Sequence, residues 1–189
     1  MKNDLRIQLR KKRQALSSLN KKIFSEQILT HLSKLKLNTS QNVGIYLSTE
    51  DELSTAPLID ALLSKNIKLY VPILHPILKR TLWFQEYASS TQTCLNKYHI
   101  KEPIFDSRKI IAPWELDIVM MPLVAFDHQG NRLGMGGGFY DTSFRFNSVH
   151  KISTFIGLAY GFQRIGNCPT EPWDIKLDGI LTPEYFKLF

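Results

Sequence analysis

Residues 130–141 read Gly-Asn-Arg-Leu-Gly-Met-Gly-Gly-Gly-Phe-Tyr-Asp, so five of the ten glycines of the 189-residue chain fall in twelve positions. Glycines let backbone N–H groups approach a phosphate closely, Arg132 offers a forked cation, and Asp141 offers a hard oxygen to magnesium. The apolar run 117–124 before this stretch reads as a buried strand of a parallel sheet. Phe139, Tyr140, Phe144 and Phe146 behind it read as the start of a helix, whose N-terminus favours an anion. Anion binding is the chemistry these residues predict. Two common phosphate signatures are absent. No glycine here precedes the Lys-Ser/Thr pair of a P-loop, and a Gly-x-Gly-x-x-Gly count from Gly134 ends on Phe139.

Two further sets of polar residues have a chemical use. Lys2 and Arg6 are four apart and share a face of an amphipathic helix predicted over about residues 3–16. Glu50, Asp51 and Glu52 follow a short apolar strand, 43–47. In an open α/β sheet ligands gather beyond the carboxyl ends of strands, which places Leu47 and Glu52 in a site. No Ser–His or Cys–His nucleophile pair is evident. Cys94 and Cys168 fit no metal or redox spacing and are read as reduced thiols; His31, His75, His99, His128 and His150 are read as structural or surface residues.

The elements that must carry these groups alternate. Ser17 or Ser18 caps a second helix with Leu19, Ile23, Phe24, Ile28, Leu29, Leu32 and Leu35 on its apolar face. Thr55 or Ser54 caps a third helix, with Pro57 in its first turn. Strands are predicted at 68–72, 81–85 and 153–160, and residues 88–116 as one long irregular loop over the sheet. This alternation argues for an α/β fold with a mainly parallel sheet covered on both faces, in one domain spanning 1–189.

The glycine stretch resembles, almost residue for residue, that of the 5-formyltetrahydrofolate cyclo-ligase family, also called 5,10-methenyltetrahydrofolate synthetases. The matching positions are Pro122, Ala125-Phe126-Asp127, Gly130-Asn131-Arg132-Leu133-Gly134 and Gly138-Phe139-Tyr140-Asp141. The start Lys2 to Arg6, the run Leu47 to Glu52, and the pairs Trp173-Asp174 and Leu177-Asp178 also resemble family segments. Residues 98–103 resemble a family loop more loosely. The resemblance implies a three-layer α/β/α Rossmann-like sandwich and ATP-driven closure of 5-formyltetrahydrofolate to 5,10-methenyltetrahydrofolate, with ADP and phosphate released. The γ-phosphoryl group would pass to the formyl oxygen, N10 would attack the activated carbon, and loss of phosphate would close the ring; positioning and charge neutralisation carry such a transfer.

By the same resemblance, ATP is expected on Lys2, Arg6, Arg132, Leu133, Gly134, Met135, Gly136, Gly137, Gly138, Phe139 and Tyr140. The reduced folate is expected on Leu47 and Glu52, with Glu52 at the pterin, and on Met135, Gly136, Gly137, Gly138 and Phe139. Magnesium is expected on Asp141 with Asp178, and Asp174 is the runner-up. Some family members carry basic side chains at the positions of Met135 and Gly137. This chain does not, so its phosphate grip must lean on backbone amides, Arg132 and the N-terminal pair.

The net charge of +7 is uneven. Residues 1–36 hold ten lysines and arginines against Asp4 and Glu26. A basic segment can bind nucleic acid, a membrane surface or an anionic small molecule. For nucleic acid it lacks aromatic interleaving, with Phe24 its one ring. No apolar run reaches the length of a membrane span and no secretory signal opens the chain, so the cytosol, no membrane and no nucleic acid are the expectations, with a monomer or weak dimer. Another enzymatic reading is a phosphate- or CoA-ester-binding isomerase or transferase on a similar sandwich. It would need no ATP and would use Asp127 as its carboxylate.

Overall fold

A computed structural model describes residues 2–189. The chain opens with α1 (Lys2–Gln14) and α2 (Ser18–Gln27), the latter capped by Ser17, whose hydroxyl oxygen accepts from the Asn20 N–H at 3.2 Å. After Gln27 the helix tightens into a 3-10 segment, Ile28–Leu35, which turns Ile28 and Leu32 into the core. Leu19 and Ile23, expected on the apolar face, remain exposed.

Then come β1 (Asn42–Gly44), α3 (Ala56–Ser64), β2 (Lys68–Leu74), β3 (Leu82–Tyr87), β4 (Thr93–Leu95), β5 (Lys101–Pro103), β6 (Ile110–Ile111) and β7 (Ile118–Pro122). A two-strand hairpin, β8 (Ala125–Phe126) with β9 (Arg132–Leu133), precedes α4 (Phe139–Ser143), and β10 (Thr154–Leu158), β11 (Gly179–Leu181) and β12 (Phe186–Leu188) complete the chain. Eight strands form one sheet in the order β12-β11-β10-β7-β1-β2-β3-β6. The inner five, from β11 to β2, run parallel, and antiparallel strands finish both edges.

Strand β7 lies at the centre and sends alternate side chains to opposite faces. Ile118 and Met120 enter a core shared with α3, the 3-10 segment, Val43 and Leu69, while Val119 and Met121 enter another with Phe84, Phe126, Phe144 and Phe155. That two-sided burial is why the strand reads as an unbroken apolar run. The second core is roofed by α4, a short 3-10 turn and the segment carrying Ile175 and Leu177, so this outer layer is thinner than the helical one. A third, smaller cluster packs Leu9 of α1 against Val124, Ala125, Leu133 and Cys168. It seats α1 on the β8–β9 hairpin.

Two expectations need correction. Residues 88–116 are not one irregular loop: β4 and β5 pair as a hairpin, and β6 extends the main sheet beside β3. The β4 residues are all exposed, so no buried face left an alternation to read. The buried strand also does not run straight into the glycine turn, because β8 and β9 intervene.

Candidate active site

The β8–β9 turn is organised by Asp127, which is buried. Its Oδ1 accepts from the Gln129 and Asn131 N–H groups at 2.9 and 3.1 Å, and its Oδ2 from Asn131 Nδ2 and the Cys168 N–H at 2.9 and 3.0 Å. Burial alone would raise this carboxyl, but the four bonds outweigh it and hold the pKa below the usual value. A carboxylate so engaged is a scaffold, and it is not among the residues lining the cavity described next. The isomerase or transferase reading loses its acid–base group.

Beyond β9 the chain turns through Gly134 to Gly138 into α4. Gly136 and Gly138 have φ of 99° and 68°, the left-handed region that side chains with a Cβ resist. A Cβ on Gly136 would also stand 3.5 Å from Cζ of Arg6. Helix α4 has only five residues, so little macrodipole stands behind this turn, less than the helix end the sequence suggested. The Ser143 hydroxyl fixes α4 by accepting from the Leu82 N–H at 2.8 Å and donating to the Phe139 carbonyl at 2.7 Å.

The turn forms one wall of a cavity of about 750 Å³ at the carboxyl ends of β1, β2 and β7. Of the residues predicted for ATP and folate, all line it: Lys2, Arg6, Leu47, Glu52, and Arg132 through Tyr140. Helix α1 crosses the turn. Arg6 donates from Nε to the Gly134 carbonyl at 2.9 Å, and Lys2 pairs with Glu171 at 3.1 Å and Asp174 at 3.7 Å. Arg132 is 5% exposed and pairs through Nη2 with Asp141 Oδ1 at 2.5 Å, while its Nε is buried without a partner. An orphaned cationic donor beside a cavity is a place an anion would satisfy.

Glu52 also lines the cavity, 9% exposed, with Oε2 accepting from the Thr49 N–H at 2.8 Å. Burial raises its pKa above the ordinary glutamate value, and the Thr49 bond and the Arg13 charge only partly offset this. Burial, helped by the Glu52 charge, also pushes the Tyr140 phenol well up. The acidic loop is held by α1 and α2 as well: Gln14 Nε2 donates to Asp51 Oδ2 at 2.9 Å and Lys21 Nζ to the Glu50 carbonyl at 3.0 Å.

The predicted metal pair is not brought together. Asp141 lines the cavity and takes both Arg132 and the Ile175 N–H on Oδ1. Asp178 precedes β11 at the other end of the strands. There its Oδ2 accepts from the Phe155 N–H at 2.8 Å and its Oδ1 pairs with Lys151 at 2.6 Å. Sequence adjacency to a family-like segment suggested Asp178, but the parallel register of β10 and β11 sends it to the amino edge. Asp174 and Glu171 line the cavity instead. Among the described residues no three metal-ligating side chains converge.

Residues the sequence left out of the site also reach it. The β4–β5 hairpin brings Tyr98, Ile100, Lys101 and Glu102 over the cavity, with the Tyr98 ring edge-on to Phe139 at 5.7 Å. Arg80 and Arg145 join Lys101 in the lining, and Leu74, which donates its N–H to Glu102 Oε2 at 3.3 Å, pairs with Leu82 in the register of β2 and β3. The weak family likeness over residues 98–103 was the signal for the hairpin. For Arg80 and Arg145 there was none.

A mainly parallel α/β sheet with a deep cavity at its carboxyl edge, walled by a glycine turn and cationic side chains, defines a ligand-binding α/β protein of the anion-handling class. The chain belongs to the 5-formyltetrahydrofolate cyclo-ligase family, whose model matches residues 1–183. It is 39% identical over 181 residues to 5-formyltetrahydrofolate cyclo-ligase of Haemophilus influenzae, covering 95% of this chain and 96% of that one. To the Escherichia coli enzyme of the same name it is 35% identical, covering 93% and 96%. The fold is similar to the NMR structure of Aquifex aeolicus 5,10-methenyltetrahydrofolate synthetase, with a TM-score of 0.81 and 26% identity over 99% of this chain and 92% of that one. Among the described residues no helix is long and apolar enough to cross a membrane.

Proposed function

We propose that the chain catalyses ATP-dependent conversion of 5-formyltetrahydrofolate to 5,10-methenyltetrahydrofolate, with ADP and phosphate as the other products. The observation that carries this is that one cavity joins the glycine turn, with Arg6, Lys2 and Arg132, to the buried carboxylate of Glu52. In this reading the amides of Gly134 to Gly138 and the three cations hold the triphosphate. Glu52 accepts from the pterin's N–H edge, and Met135 and Phe139 pack on its ring. Arg80, Lys101 and Arg145, gathered round the β2–β3 end of the cavity, meet the carboxylates of the glutamate tail. Tyr98 and Phe139 cover the reacting groups and exclude water.

Magnesium fits the carboxylates at hand. It binds phosphates with one or two carboxylates and retained water, so a full protein cage is not needed. Asp141, with Asp174 in place of Asp178, would hold it, and when bound it supplies charge neutralisation on the transferring phosphoryl group. The chain's own part is positioning: Arg132 is kept in place by Asp141, Arg6 by the Gly134 carbonyl, and Glu52 by Thr49. No residue needs to act as a covalent nucleophile.

The test is an absorbance assay for methenyltetrahydrofolate with purified protein and 5-formyltetrahydrofolate, with and without Mg-ATP. Product formation that requires ATP is expected. Binding of both ligands with no cyclised product would remove the reading, and turnover without nucleotide would favour an isomerase.

A further inference from the structure

Four cations approach the glycine turn, and they differ in how far their charge is already neutralised. Lys2 is paired with Glu171 and Asp174, and Arg132 with Asp141. Arg6 and Arg10 lie four residues apart, on one face of α1. Among the described residues neither is paired with a carboxylate. Arg6 donates to the Gly134 carbonyl and to Asn3 Oδ1, both at 2.9 Å. Arg10 directs Nη2 at the thioether of Met135, 3.7 Å away, a weak acceptor that carries no charge.

Met135 lines the cavity and Arg10 does not, so the Arg10 guanidinium stands just outside the lining, against Met135. A triphosphate brings more negative charge than Arg6 can neutralise alone, and Lys2 and Arg132 must share theirs with carboxylates. Releasing a thioether costs little, and the long Arg side chain can then swing onto a phosphate oxygen. We propose that Arg10 is a further nucleotide-binding residue, closing on the triphosphate from the Met135 side of the turn. This rests on the cyclo-ligase reading above. Because Arg10 is exposed, the chain does not depend on it to fold.

Titration calorimetry with Mg-ATP on the full chain tests this, with steady-state kinetics beside it. Arg10→Ala should weaken Mg-ATP binding about tenfold, and Arg10→Lys by less, because a point charge replaces the fork. The KM for 5-formyltetrahydrofolate should stay within about twofold of its starting value, since the lost contact is to nucleotide alone. Adding Met135→Arg to Arg10→Ala places a cation on the other side of the same gap and should recover most of the loss. Unchanged Mg-ATP affinity in Arg10→Ala, or a loss that Met135→Arg does not repair, overturns the assignment. Tight Mg-ATP binding by a protein that makes no methenyltetrahydrofolate would instead defeat the functional reading and leave the Arg10 measurement standing.

Discussion

Arg132 and Asp141 meet across the base of the glycine turn, Nη2 to Oδ1, at 2.5 Å. The pair compensates a cation in a buried place, and it sets a carboxylate at the same edge of the cavity. Removing either partner leaves the other uncompensated, which costs more than the pair contributes.

From this pair, Arg132→Ala should raise the KM for ATP about tenfold or more, and Asp141→Ala should raise the magnesium needed for half-maximal activity by about tenfold. Asp178→Ala should leave the magnesium curve where it is. A shift in that curve for Asp178→Ala, measured at fixed ATP, would restore the pairing the structure separates.

Glu52 would tie activity to pH. Its carboxyl is raised by burial, so it takes up a proton at a higher pH than an ordinary glutamate. If ionised Glu52 receives the pterin, kcat/KM for the folate should fall on the acid side at a pH above the usual glutamate range. Glu52→Gln should abolish that limb and raise the folate KM about tenfold. A raised carboxyl favours folding at low pH and loses that contribution as pH rises through its folded value. The neutral amide should therefore melt above the parent at pH 7 while binding folate less well. Equal or lower melting temperature would show that burial of the charge costs nothing here.

Asp127 gives the opposite sign. Its depressed pKa means that its stabilisation is present above the unfolded carboxyl value of about 3.9 and is lost as pH falls through the lower folded value. Asp127→Ala strips acceptors from buried N–H groups and should cost about 3 kcal/mol, or about 9 °C in Tm. A loss below about 1 kcal/mol in denaturant unfolding would mean that the β8–β9 turn holds without it.

The two thiols should separate under alkylation. Cys94 is exposed on β4, while Cys168 is buried, and burial with the nearby Asp127 charge pushes its thiol up to about 12. Iodoacetamide on the native protein should label Cys94 alone, read by mass spectrometry of peptides. Labelling of Cys168 at a comparable rate would show that the hairpin opens readily in solution.

The central sheet was legible because β7 and β10 are apolar on both faces, and two-sided burial leaves an unbroken hydrophobic run. The glycine turn was legible because left-handed backbone and close approach have few substitutes for glycine. What stayed hidden depends on long-range geometry. The β4–β5 hairpin has short strands, one of them wholly exposed, and Tyr98 counts only because Phe139 lies against it. Asp174 and Asp178 are four residues apart, yet the register of β11 against β10 puts one in the cavity and the other at the far edge. No periodicity carries that difference.

The ion pair between Lys2 and Glu171 spans 169 positions, and with Asp174 it clasps the first helix to the segment 171–174. During synthesis, then, the pocket is among the last features to be assembled. An emerging chain would present the glycine turn long before the clasp that roofs it could shut. The early sheet must therefore gather on its apolar strands, before the clasp is there to help.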